Sequence, residues 1–121
     1  MNIEFFREYC LDKAGATEGF PFDAETLVFK VGEKIFALTN VDHFNSINLK
    51  CDPTKSIDLR EKYEGVKPGY HMNKKHWNTV SINKDVSERL LQELIDESYA
   101  LVFATLPNKR KSQLNKQKRS N

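Results

Sequence analysis

Between Val66 and Ile82 the chain gathers the side chains best suited to contact a polar partner. Asn73, Lys74, Lys75, His76, Trp77, Asn78 and Thr79 combine point charges for phosphates, amides that can meet base edges and an indole for stacking. Tyr70 and His71 stand just ahead of them, behind a Pro-Gly turn. A plainer reading of the same run has Tyr70 and Trp77 anchoring the loop in the core, with Lys74 and Lys75 merely solvated. The residues alone leave both readings open.

Other chemistries find less in the sequence. His71 and His76 are five apart, not the four that places two ligands on one helical face, and no Glu-x-x-His or Cys pair joins them, so no metal is expected. Cys51 has no evident activating base, and only the amides opening the next helix could lower its pKa. The carboxylates fall at helix caps and on solvated faces. The glycines, at 15, 19, 32, 65 and 69, are too dispersed to cradle a phosphate. The expectation is a non-enzymatic protein without a cofactor.

The elements that must position this run follow from periodicity and punctuation. Asn2 caps a first helix carrying Ile3, Phe6, Tyr9, Cys10 and Lys13, with Gly15 as its stop. Phe20 and Phe22 bracket Pro21 in the following loop and are expected to plug the edge of the core, with an exposed aromatic platform for a ligand as the alternative. Residues 27–31 and 34–38 flank Gly32-Glu33, a two-residue hairpin loop whose leading Gly suits a type II′ turn. That register opposes Phe29 to Phe36 and Leu27 to Leu38, making one apolar face for helices to cover. A third strand is expected over 44–50. Asp52-Pro53 starts a second helix, and 77–82 alternate as a further strand. Asp85 to Glu88 has a capping-box arrangement opening a helix with Leu90, Leu91, Leu94, Ile95, Ser98, Leu101 and Val102 at core spacing. Pro107 ends it. The order predicts a single α+β domain over 1–107, an antiparallel sheet of about four to five strands with helices packed on one face.

Charge is distributed unevenly. The 121 residues hold 19 Lys and Arg against 17 Asp and Glu, but six of the basic residues lie beyond Pro107 with no acid among them. Residues 1–106 thus carry 13 basic against 17 acidic groups, a balance of −4, which is weak global attraction for a nucleic acid. Residues 108–121, including Lys109, Arg110 and Lys111, have only Leu114 to bury and are expected to form a disordered basic tail. No run approaches the ~20 apolar residues of a membrane span. Glu4, Arg7 and Glu8 interrupt any signal-peptide core, so a cytoplasmic location is expected. Cys10 and Cys51 are too few for a disulfide framework and read as small buried hydrophobes.

The string Pro-Gly-Tyr-His-Met-Asn-Lys-Lys-His-Trp-Asn-Thr-Val at 68–80 resembles the signature of the MmcQ/YjbR family. Phe20-Pro21-Phe22, the hairpin at 27–38, and Ser46 through Leu49 to Cys51-Asp52-Pro53 are similar to it in the same order. The resemblance implies a CyaY-like fold and a double-wing DNA-binding role. Joined to the residue reading, it gives duplex DNA contacted by Asn73, Lys74, Lys75, His76 and Asn78, with Lys109, Arg110 and Lys111 of the tail adding phosphate attraction, in a protein expected to be monomeric. The alternative is a small-molecule or protein-recognition domain with a polar pocket around His71, His76 and Trp77.

Overall fold

The computed structural model describes residues 1–70 and 72–119, with the side chains of 1–70 and 72–115. The chain runs α1 (Ile3–Leu11), β1 (Thr17–Gly19), β2 (Thr26–Val31), β3 (Lys34–Asn40), β4 (Ser46–Lys50), α2 (Pro53–Lys62), β5 (Val66–Pro68), β6 (Trp77–Ser81), α3 (Glu88–Ala104) and α4 (Asn108–Arg119). The strands form one antiparallel sheet in the order β1-β2-β3-β4-β6-β5. It has six strands rather than four to five because β1 and β5 join its edges. Each has three residues, too few to show an alternating pattern.

The helices form where their caps permit. The Asn2 side chain accepts from the Phe5 amide at 2.8 Å, and Asp52 accepts from Lys55 ahead of the Pro53 start of α2. α3 is capped by Ser87, which accepts from the Leu90 amide. Asp85, expected in a capping box, instead reaches back to the amides of Glu64 and Gly65 at 2.6 and 2.8 Å.

The hairpin differs from its expected register. Val31 opposes Lys34, but Phe29 opposes Ala37 and Leu27 opposes Thr39, because β3 bulges by one residue at Phe36. Gly32 and Glu33 both have positive φ, 55° and 67°, which makes the turn type I′ rather than II′. The bulge moves Leu38 out of the covered face and brings Ala37 into it. The covered face then reads Leu27, Phe29, Ala37, Thr39, Ile47, Leu49, Asn78, Val80 and Val66, all buried.

α1 and α3 pack on that face. Phe6 meets Phe29 edge-on at 5.4 Å between ring centroids, and Tyr99 meets Phe36 likewise at 5.3 Å. Ser98, fully buried, donates to the Phe36 carbonyl at 2.5 Å and accepts from the Lys50 amide at 2.8 Å. This side chain fastens α3 to β3 at the bulge and to β4 beside it, satisfying backbone groups the irregularity would otherwise strand.

The C-terminal segment, expected to be disordered, is helical through Arg119. Its one apolar residue is the reason. Leu114 is 1% exposed and sits against Gly15, where a Cβ would stand 2.1 Å from its side chain. Gly15 also has φ +72°, so the site demands glycine twice over. Leu106, just before α4, packs against Gly32 in the same way. Composition counts apolar residues but does not show that one of them has a notch waiting for it.

Candidate functional site

The face of the sheet opposite α1 and α3 carries the chain's best contact surface. Register alone defines a row across all six strands: Lys67, Thr79, Asn48, Leu38, Val28 and Gly19. Directly opposed residues share a face, and residues two apart on a strand return to it. The same face therefore presents Trp77 opposite Lys50, and Lys30 opposite Ile35, on one side of that row. Ser81 opposite Ser46, and Thr26 opposite Asn40, lie on its other side.

Above this floor two aromatic rings project. Tyr70 is 71% exposed and Phe22 is 67% exposed. Between them lies a groove of about 540 Å³ whose floor includes Leu38, Asn48 and Thr79. Thr79 ties the groove to the loop above it: its hydroxyl donates to the Asn48 side-chain oxygen at 2.5 Å and accepts from the Tyr70 amide at 3.0 Å. The expected roles of Phe20 and Phe22 as core plugs, and of Tyr70 as an anchor, are not met. Phe20 is half-exposed at the edge beside α1, and the other two are more exposed where they line the groove.

The loop between β5 and β6 is built by its own polar groups. The Asn73 side chain accepts from the Lys75 amide at 3.0 Å, and its carbonyl accepts from His76 and Trp77. Lys74 and Lys75 are exposed at the tip. His76 and Trp77 are half-buried, with the His76 carbonyl accepting from Cys51 and the Trp77 carbonyl from Gly69. His71 lies outside the described residues. The described residues of the 70–79 loop that line this groove are Tyr70, Met72 and Thr79.

Asn78, expected to contact a ligand, is 2% exposed and faces the covered side. It donates to Ser56 of α2 at 3.2 Å and accepts from Arg60 Nε at 2.8 Å. Arg60 was not singled out by the sequence, where it reads as one more charge in a polar helix. Its guanidinium also donates to the carbonyls of Lys74 at 2.5 Å and Trp77 at 3.2 Å, so it holds the loop from beneath.

The basic residues of α4 stand elsewhere. Arg110 pairs with Glu33 of the hairpin turn at 3.2 Å, while Lys109 is exposed and Lys111 half-exposed. α4 is docked at Gly15 and Gly32, beside β1 and the β2–β3 turn, whereas the loop joins β5 to β6. β3 and β4 lie between β2 and β6, roughly 14 Å of sheet at ordinary strand spacing. Loop and tail do not form one patch.

Cys51 offers no activated nucleophile. Burial pushes its thiol up, outweighing the Ser56 hydrogen bond that lowers it. Burial likewise pushes the Cys10 thiol up to about 12. Among the described residues no helix is long and apolar enough to cross a membrane.

Comparison with known proteins agrees on the kind of molecule. A family model described as YjbR matches residues 11–101. The uncharacterised protein YjbR of Escherichia coli (strain K12) is 30% identical over 115 residues, covering 94% of this chain and 98% of the relative. YbdF of Escherichia coli O157:H7 is 49% identical over 84 residues, 69% of each chain. The crystal structure of Deinococcus radiodurans protein DR2400, with domain DUF419, superposes with a TM-score of 0.89 at 37% identity, covering 94% of this chain and 88% of that one. A crystal structure from Pseudomonas syringae gives 0.72 at 31% identity, covering 84% and 99%.

Proposed function

This chain belongs to the YjbR family, and on that footing we propose that it is a non-enzymatic nucleic-acid-binding domain whose contact surface is the open face of its sheet. The observation that carries the reading is the alignment of Lys30, Lys50 and Lys67 with Trp77 on that one face. Lys74 and Lys75 extend the same charge from the loop that overhangs it. These five cations concentrate positive charge locally, where phosphates would lie, on a body whose overall balance over 1–106 is −4. The double-wing DNA-binding role implied by the resemblance fits this arrangement once Asn78 and the tail are removed from the contact set. The protein acts as a monomer in this reading, and a cytoplasmic location suits it.

The test is a salt titration with a short DNA in both duplex and single-stranded form. Release of counterions from about five phosphates gives log K a slope of about −4 against log salt. Affinity unchanged between low and physiological salt overturns the reading.

A second reading is favoured by the groove itself. At about 540 Å³ it has the size of a small-molecule site, and the charged residues lining it are Asp23 and Glu25. The Asp23 carboxyl is held below its usual range by the amides of Glu25 and Thr26, so it stays ionised and favours an uncharged or cationic ligand. Binding of such a ligand that DNA does not displace supports this alternative.

A further inference from the structure

We infer that the preferred ligand of the open face is a single-stranded nucleic acid, with unpaired bases entering the groove between Phe22 and Tyr70 and the phosphate backbone following Lys67, Lys50 and Lys30. The inference rests on the nucleic-acid reading above and narrows it.

A duplex shows a protein the edges of its bases, and the elements that read those edges are convex ones that enter a groove. Here the relation is reversed. The amide and hydroxyl groups of Asn48 and Thr79 form the floor of a depression, and two aromatic rings stand at its sides with 71% and 67% of their surface exposed. Rings placed in this way have no partner in stacked duplex DNA, whereas an unpaired base offers each a face. Any base can take such a place, because every base has a flat apolar face.

The charges fit the same occupant. Lys30, Lys50 and Lys67 lie on β2, β4 and β5, and in the sheet order each is two strands from the next, about 10 Å. Lys30 and Lys50 lie to one side of the central row and Lys67 within it, so together they span the face. Asp23 and Glu25 line the groove, where they repel phosphate and accept the donor groups of a base. The polarity therefore sorts the two parts of a nucleotide, backbone to the lysines and base to the groove. A rigid duplex cannot divide itself in this way.

The experiment measures fluorescence anisotropy with a labelled oligothymidylate of about 15 nucleotides, near the upper end of usual single-strand site sizes. Oligouridylate of equal length and the duplex of the oligothymidylate with oligodeoxyadenylate are run beside it. Single strands are expected to bind at least about tenfold more tightly than duplex, and the thymidylate and uridylate arms tell DNA from RNA. Tyr70→Ala and Phe22→Ala should each weaken single-strand binding about tenfold, the scale of one lost base stack, and leave duplex binding unchanged. Tyr70→Phe should keep most of the affinity. Both residues are exposed, and an unchanged thermal midpoint shows that the variants fold. Duplex binding equal to or tighter than single-strand binding overturns this inference and leaves the broader reading standing, as does aromatic replacement without effect. Salt-sensitive binding to neither form overturns both.

Discussion

Arg60 Nε donates to the Asn78 side-chain oxygen at 2.8 Å, and this contact between α2 and β6 fixes the loop that overhangs the open face. From the same guanidinium, bonds to the carbonyls of Lys74 and Trp77 reach both the tip and the base of the loop. Asn78 is thereby a support, with its amide nitrogen on Ser56 and its oxygen on Arg60.

Replacement of either residue should cost stability before it touches any ligand. Asn78→Ala removes the buried acceptor of Arg60 Nε and the donor to Ser56 and should cost about 2 kcal/mol. Arg60→Ala should cost a similar amount and, in addition, raise amide exchange across 72–77. Urea unfolding with hydrogen exchange checks both. Loss of nucleic-acid affinity at unchanged stability in Asn78→Ala would return that residue to the contact surface.

The docking of α4 makes an opposite demand on the C-terminus from that of a disordered tail. Leu114→Ala should empty a filled notch and cost about 2–4 kcal/mol. Removal of 108–121 should lower the thermal midpoint, where loss of an unstructured tail would leave it in place. Gly15→Ala should be as damaging as Leu114→Ala, since it combines a clash with an unfavourable φ. Thermal unfolding of the three variants decides.

What the sequence shows and what it hides divide along physical lines. Caps at Asn2 and Asp52, the hairpin, and the core stripe of α3 are local features, and each is where periodicity places it. The bulge at Phe36 is not local. It depends on Ser98, 62 residues away, satisfying the Phe36 carbonyl, and it decides which face Leu38 joins. The role of Arg60 depends on a loop that begins well after its helix ends, and that of Leu114 on a glycine at the other end of the chain. In the sequence, the aromatic character of Tyr70 and Phe22 suits a core anchor as well as an exposed platform. Only the topology shows that they stand on the side no helix covers.

Asp85 gives the fold a pH dependence with a definite sign. Desolvation raises its carboxyl, but the amides of Gly65 and Glu64 more than offset this and hold it below the usual range. A carboxyl depressed in the folded state contributes stability above its unfolded pKa, about 3.9, and that contribution is lost as pH falls through the folded value. Acid should therefore loosen the turn between α2 and β5 below about pH 4. Asp85→Asn should lower the urea midpoint at neutral pH and make its acid limb shallower. A midpoint whose pH profile matches that of the parent protein would show that another carboxyl carries the effect.

The separation of the loop from α4 predicts how salt dependence will be divided among the lysines. Lys50→Ala and Lys67→Ala should each weaken binding and reduce the slope of log K against log salt by about 0.9 on duplex or about 0.7 on a single strand, one phosphate contact apiece. The paired change Lys74→Ala with Lys75→Ala should remove up to twice that. Lys109→Gln with Lys111→Gln should leave the slope nearly unchanged, because these side chains sit with α4 beside the β2–β3 turn, away from Lys50, Lys67 and the 70–79 loop. Long-range attraction from α4 would still raise the association rate at low salt, within a Debye length of about 10 Å at 0.1 M, so equilibrium and kinetic measurements should part company for this variant alone. A slope reduced as strongly by the α4 changes as by Lys50→Ala would place the nucleic acid across both edges of the sheet and require a footprint wider than the open face.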